Sequence, residues 1–261
     1  MRSMPPEDRR ALGAGWILAD PHVGANAEAD HELELLLAAA SRESRDLLVM
    51  GDLFRVWLGL ERMLTPLQGK VLDALQEVRR SGARVVFVVG NRDYFAESQL
   101  DRAFDDVIAT EAVLRVGGVP TLVTHGDLVR TDDLAYRRWR RLSRHRIASA
   151  LVRSLPAPFA RGLASALERK LRGTNLAYKS GSLPRADLAA FGRRVAAEGA
   201  ARAIVGHFHA DETIVGPGQA PVVIAPSWLD QRKILEVRPD GTLVGLDRDA
   251  LFAGPSFQKT L

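Results

Sequence analysis

Three short apolar runs in this chain stop on polar, glycine-flanked residues: Trp16 to Ala19 before Asp20, Leu47 to Met50 before Gly51-Asp52, and Val85 to Val89 before Gly90-Asn91. Their length and β-branched content predict buried strands. Between them lie helical patterns, Glu28 to Ala40 and Pro66 to Arg80. The second opens with Thr65, Pro66 and Gln68, which reads as an N-cap, a first-turn proline and a capping-box partner. Strand and helix alternating at this spacing predict a layered α/β sheet. With 261 residues the chain is long enough for one large α/β domain with a sizeable core, and we read residues 1–261 as that domain carrying one insertion.

The insertion shows as a change of pattern. After apolar runs at Val113 to Val116 and Thr121 to Thr124, a helical, arginine-rich stretch extends from Leu134 to about Arg172, broken at Pro156 and Pro158. We place a helical cap at about 130–180. A further helix from about Pro184 to Ala197 precedes strands at Ala203 to Val205, Thr213 to Val215, Val222 to Ala225 and Ile234 to Val237, the last of them antiparallel. From Arg130 to Arg172 there are twelve Lys or Arg against three Asp or Glu, a surplus of nine in a chain of net charge +4. The rest of the chain therefore has a deficit of five, and the basic charge is one block suited to an anionic partner.

Composition limits the chemistry. The chain has no cysteine, so a metal would have to be held by His, Asp, Glu or Asn. The opening fifteen residues lack the apolar core of a secretion signal, and no apolar run approaches the roughly 20 residues of a membrane span. The expected location is cytoplasmic, peripheral where the basic block meets an anionic membrane face.

Five motifs fall at the ends of predicted strands: Asp20-Pro21-His22, Gly51-Asp52, Gly90-Asn91-Arg92-Asp93, His125-Gly126-Asp127 and Gly206-His207-Phe208-His209. Strand ends are where an α/β sheet presents side chains to a ligand. The i, i+2 spacing of Asp20 with His22, and of His207 with His209, lets two groups on extended chain point the same way. Each motif alone is as well explained by a turn, a cap or a satisfied histidine. Four of the six histidines, however, occupy these positions, while His31 in a helical pattern and His145 in the basic block read as incidental. Asp93 and Asp127 read equally as loop caps or as groups orienting a ligand histidine or the backbone.

The order and spacing of the five motifs resemble the calcineurin-like metallophosphoesterase family. The resemblance implies a four-layer α/β/β/α sandwich. It also implies one divalent cation held by Asp20, His22, Asp52 and His209 and a second by Asn91, His125 and His207, with Asp52 bridging. Nitrogen and oxygen donors without sulfur suit manganese, iron or zinc, and the carboxylate and amide oxygens favour manganese. Such a pair lowers the pKa of a bridging water and holds the phosphoryl oxygens, with Asp52 and Arg92 supporting the hydroxide. The broader family commonly has histidine at Arg92; arginine is no general acid near neutrality but clamps phosphate, which suits a phosphoanhydride with a good leaving group.

Within that family, Gly51-Asp52-Leu53-Phe54 with Trp57 and Gly59, then Gly90 to Asp93, then His125-Gly126-Asp127 with Thr131-Asp132-Asp133 and Tyr136, resemble the UDP-2,3-diacylglucosamine hydrolases. The similarity covers Ile17 to about Tyr136 and returns at Gly206 to His209. It implies hydrolysis of that lipid's pyrophosphate in lipid A biosynthesis, with Asn91, Arg92, Asp133, Lys179 and His207 touching substrate. The stretch Gly173 to Tyr178, before Lys179, departs from the family's pattern. The insertion then reads as a lid: Phe159, Leu163, Leu167 and Leu171 recur at i+4, with Arg161, Ser165, Arg169 and Arg172 on another face. The alternative on the same metal core is a nuclease or other phosphodiesterase, but the basic block lacks interleaved aromatics beyond Tyr136 and Trp139, which argues against nucleic acid. A fold-only interaction module is disfavoured because all seven ligand positions carry competent residues. No obligate protein partner is invoked.

Overall fold

The computed structural model describes residues 11–95, 103–179 and 183–253, with the side chains of 170–179 outside that description. The predicted strand runs become β2 (Gly15–Leu18), β3 (Asp46–Val49) and β4 (Val85–Val88), parallel neighbours in one sheet. β5 (Asp106–Ile108) extends this sheet on one side, and β11 (Lys233–Val237) and β12 (Leu243–Asp247) on the other, giving the order β12-β11-β2-β3-β4-β5. The second sheet holds β1 (Ala11–Leu12), β6 (Glu111–Val116), β7 (Val119–Thr124), β8 (Arg202–Val205), β9 (Glu212–Ile214) and β10 (Val222–Ile224) in the order β1-β6-β7-β8-β10-β9. β11 pairs antiparallel with both β2 and β12, as the short turn near Pro239 to Gly241 predicts.

Alternation along the strands separates two faces. Ile17, Leu48, Val86 and Val88 face Leu114, Val116, Val123 and Ile204 of the other sheet, forming an apolar seam between the sheets. The opposite face of the first sheet, with Trp16, Leu18, Val49 and Phe87, packs on α1 (Ala27–Glu43) and α2 (Pro66–Arg80). The second sheet turns Leu122, Ala203 and Val222 to Leu188, Phe191 and Val195 of α6 (Arg185–Ala197). The result is the four-layer α/β/β/α sandwich. α2 starts as its sequence dictates: Thr65 and Gln68 make the reciprocal capping box, with Pro66 in the first turn. α1 is capped by Asn26, whose side chain accepts from the Glu28 and Ala29 N–H groups.

The arginine-rich stretch forms three helices, α3 (Leu134–Ser143), α4 (Arg146–Ser154) and α5 (Ala157–Lys179). Two expectations are corrected. Pro158 does not break a helix but lies in the first turn of α5, where a missing N–H costs nothing. An additional break falls at Arg144-His145, where the His145 side chain accepts from the Ile147 N–H and starts α4. α5 leaves Phe159 69% exposed. It presents Ala160, Ala164 and Leu167 to Leu58, Leu60 and Tyr94, so of the stripe Leu167 packs inward. Leu171 and Arg172 fall among the side chains outside the description. The short helices α7 (Trp228–Gln231) and α8 (Arg248–Phe252) complete the chain as described.

Leu48 is fully enclosed between the sheets and Leu142 of α3 is 67% exposed. Leu48→Ala is therefore expected to cost about 2–5 kcal/mol in chemical denaturation, whereas Leu142→Ala stays within about 0.5 kcal/mol.

Candidate metal centre

Both sheets end at one edge, and the five motifs meet there. The means is not the extended backbone that the i, i+2 spacing suggested. Asp20, His22, Asp52, His207 and His209 all adopt positive φ, between 46° and 68°. They are five of the eight non-glycine residues to do so among the described residues. This left-handed backbone costs each L-residue of order 1–3 kcal/mol, and such strain gathers at functional sites. It coils the chain so that alternate side chains converge. The loops also touch: a Cβ on Gly90 would lie 2.3 Å from Asp52 Oδ1, and one on Gly51 2.6 Å from the Gly90 nitrogen. Only glycine allows that approach.

The donor atoms form two connected groups. In the first, His22 Nε2 lies 3.5 Å from His209 Nε2 and 4.0 Å from Asp20 Oδ1, which is itself 3.7 Å from His209 Nε2. In the second, Asn91 Oδ1 is 3.0 Å from both His125 Nε2 and His207 Nδ1. Asp52 lies between them, with Oδ2 3.9 Å from His22 Nε2 and Oδ1 3.7 Å from His125 Nε2. Neighbouring donors on an octahedral ion with bonds of about 2.1 Å are about 3.0 Å apart, which the Asn91 contacts match, while the Asp20 and Asp52 contacts are wider.

Proton bookkeeping sharpens the fit. The His125 Nδ1 faces the Met50 carbonyl at 2.7 Å, and a carbonyl only accepts, so Nδ1 carries the proton. In the neutral ring Nε2 is then a lone pair aimed at the Asp52 carboxylate and the Asn91 carbonyl oxygen. His209 Nδ1 meets the Asp230 carboxylate in the same way, leaving its Nε2 lone pair toward Asp20 and His22. Asp20 Oδ1 is buried with no hydrogen-bond partner. Acceptors converging on one buried spot suit a cation.

Burial opposes a charged His125 ring, but Asp52 and Asp20 outweigh it and raise that imidazole above its ordinary value, so its Nε2 can also carry a proton toward the carboxylates. Burial alone would raise the Asp20 carboxyl, but the surrounding histidines, His209 foremost, hold it below the usual carboxylate value. Burial drives His22 well below the ordinary imidazole value, and burial together with His125 brings His207 to about 4, so both rings are neutral near pH 7. Asp52 is raised by burial, which outweighs His125 and Arg92, and the neighbouring Asp20 carboxylate adds to the rise.

The surrounding residues hold this arrangement. Arg92 is buried, its Nε 3.3 Å from Asp52 Oδ2 and its Nη1 donating to the Arg55 carbonyl at 3.2 Å. Asp93 Oδ2 accepts from the Asp52 and Gly90 N–H groups at 2.7 and 2.8 Å, orienting the backbone. Asp127 binds the Arg140 guanidinium at 3.0 Å and the Tyr136 hydroxyl, tying α3 to the His125 loop. Arg144 donates to the Gly90 carbonyl, tying the same helix to the Asn91 loop. Asp133 caps α3, accepting from the Tyr136 N–H at 2.9 Å. Lys179 ends α5, and its side chain lies outside the described ones. His31 is exposed and His145 is a helix cap, so neither joins the cluster. Asp230, Arg140 and Arg144 were missed by sequence reasoning. Ser227-Trp228-Leu229-Asp230 follows a strand end, but its spacing matches any capped helix start.

No protein-family model matches the chain. A UDP-2,3-diacylglucosamine hydrolase of Pseudomonas syringae pv. syringae is 36% identical over 143 residues, 54% of this chain and 56% of that one. The chain thus spans about half the length of that relative. The enzyme of the same name from Neisseria meningitidis serogroup B is 30% identical over 212 residues, covering 81% of this chain and 88% of that one. This chain belongs to the UDP-2,3-diacylglucosamine hydrolase family. Among solved structures, vacuolar protein sorting 29 from Cryptosporidium parvum aligns with 91% of this chain and 99% of its own at 10% identity and a TM-score of 0.44. Membership of the UDP-2,3-diacylglucosamine hydrolase family agrees with the convergent Asp, Asn and His donors found at the sheet edge.

Because its folded-state pKa is raised, Asp52 favours folding at low pH and becomes a liability as pH rises through that value. At neutral pH, chelator-treated Asp52→Asn protein should therefore melt no lower than wild type. Adding Mn²⁺ should raise the wild-type midpoint, with about 2.7 kcal/mol of stabilisation at a hundredfold excess over Kd. The variant should lose most of that rise, and an undiminished rise would remove Asp52 from the centre.

Proposed function

We propose that this chain hydrolyses the pyrophosphate bond of UDP-2,3-diacylglucosamine, giving UMP and 2,3-diacylglucosamine 1-phosphate, a step of lipid A biosynthesis. The observation that carries the reading is a complete, convergent donor set in a chain 30% identical to a UDP-2,3-diacylglucosamine hydrolase across 81% of its length. Asp20, His22, Asp52 and His209 would hold one divalent cation, and Asn91, His125 and His207 another, with Asp52 shared. Cations bound there supply Lewis acidity, which neutralises phosphoryl charge and makes water a nucleophile near neutral pH. Carboxylate, amide and imidazole donors without sulfur favour manganese over softer-site metals.

The chain's own residues do the rest. Arg92 brings a permanent positive charge to the edge of the cradle, held in place by Asp52 and the Arg55 carbonyl. There it can neutralise the phosphate while the anhydride oxygen departs as part of a sugar phosphate, a leaving group that needs no protonation. His22 and His207, kept neutral by burial, offer lone pairs and not protons. Asn91, Arg92, Asp133, Lys179 and His207 are the proposed substrate contacts.

The helices of the cap, about 130–180, would shelter the acyl chains and rest on an anionic membrane face. Support comes from their surface: Leu142, Ile147, Leu151 and Phe159 are 62–69% exposed and interleave with exposed Arg138, Arg141, Arg146, Arg153 and Arg161. Apolar side chains beside arginines suit an interface where each basic residue adds about 1 kcal/mol near anionic lipid. No helix among the described residues is long and apolar enough to cross a membrane.

Chelator-treated protein resupplied with Mn²⁺ should release UMP from UDP-2,3-diacylglucosamine. His125→Ala and Asn91→Ala should lose at least about 10²–10³-fold in kcat/KM while keeping the wild-type circular dichroism. Cleavage of a generic aryl phosphodiester without UMP release would refute the substrate. In flotation with phosphatidylglycerol vesicles, Ile147→Glu with Leu151→Glu should lower the bound fraction, and 0.5 M salt should lower it for wild type. Binding indifferent to both changes would refute the membrane face.

A further inference from the structure

The deeper feature of the centre is how His209 is held. Its Nδ1 meets Asp230 Oδ2, and its Nε2 points to Asp20 Oδ1 at 3.7 Å and His22 Nε2 at 3.5 Å. Asp230 is itself fixed by the short turn that carries it. Trp228 is fully buried, its indole N–H donating to the Ala29 carbonyl at 3.0 Å and its backbone N–H to the Ala19 carbonyl at 2.8 Å. The Ser227 hydroxyl donates to the Asp20 carbonyl at 3.3 Å, and the Gln231 side chain accepts from the Ser227 N–H at 2.7 Å. The strand end that supplies Asp20 as a donor therefore also anchors the turn that supplies Asp230.

We propose that Asp230 is a positioning residue of this metal centre, holding His209 in the tautomer and ring orientation that aim Nε2 at the cation position beside Asp20 and His22. The proposal rests on the reading of the cluster as a metal centre. A carboxylate on the far nitrogen of a ligand histidine fixes its proton there and makes the near nitrogen a better donor. His125 directs its Nδ1 to a neutral carbonyl, that of Met50. Asn91 supplies a neutral amide where the first half has Asp20. The half of the centre built on Asp20, His22 and His209 thus carries more negative charge and binds its cation more tightly. Asp230 touches neither cation nor substrate; it acts through His209.

The test is a titration of chelator-treated full-length protein with Mn²⁺, followed by calorimetry, for wild type, Asp230→Asn and Asp230→Glu, each alone and combined with His209→Ala. Asp230→Asn should weaken the tighter binding step about 10–100-fold, and Asp230→Glu should restore part of it. In the His209→Ala background Asp230→Asn should change nothing further, because its effect passes through the ring. Equal weakening in both backgrounds, or an unchanged isotherm in Asp230→Asn, would overturn the proposal while leaving the centre intact. Wild-type protein that takes up no Mn²⁺ would overturn the reading of the centre itself.

Discussion

Loops from both sheets bring hydrogen-bond acceptors to one buried place where they face each other, and the rest of the molecule is arranged to hold them there. Ring nitrogens of His125 and His209 lie close to the oxygens of Asp52, Asn91 and Asp20. The backbone beneath is strained as well, since five of the converging residues hold positive φ. At roughly 1–3 kcal/mol each, this strain is comparable to the whole net stability of an ordinary domain. The interior of the sandwich offsets it: Ile17, Leu48, Val86, Val123 and Ile204 are fully enclosed between the sheets, each contributing roughly 1.5–3 kcal/mol. A cation at the convergence would remove the remaining electrostatic cost. The strain and the repulsion are thus signs of what the site is for.

The cap is bound into this arrangement. Arg140 of α3 and Arg144 just past its end reach inward to Asp127 and the Gly90 carbonyl, so the loops bearing His125 and Asn91 are each held from these helices. Farther along, Glu168 of α5 pairs with Arg55, whose carbonyl accepts from Arg92. The basic block therefore divides by depth: buried Arg140 and half-buried Arg144 brace ligand loops, while Arg138, Arg146 and Arg161 are exposed. Charge counting along the chain gives their sum but not this division.

Much of the fold was legible because local chemistry and tertiary structure agree. The capping box at Thr65 and Gln68 appears as read, and the apolar runs ending at Asp20, Asp52 and Asn91 are adjacent strands of one sheet. The donor residues were legible because strand ends are marked by glycine and because four histidines recur at them. Their geometry was not: the i, i+2 spacing suggested extended chain, whereas left-handed turns do the converging, and the enrichment of Asp and His at positive φ is too weak to mark single positions. Asp230 was illegible for a related reason. A carboxylate three residues after a serine announces a helix start, and only the packing of Trp228 under α1 shows which way it faces. The break at Arg144-His145 was hidden because histidine caps helices less often than serine or aspartate. The exposed Phe159 shows that periodicity identifies a stripe without saying which neighbour covers it.

Anomalous scattering from Mn²⁺-soaked crystals at the manganese edge would read the proposed two-cation centre directly. The account predicts two peaks about 3.5–4 Å apart, one among Asp20, His22 and His209 and one among Asn91, His125 and His207, with Asp52 between them. A single peak, no peak at saturating Mn²⁺, or peaks away from these side chains would contradict it.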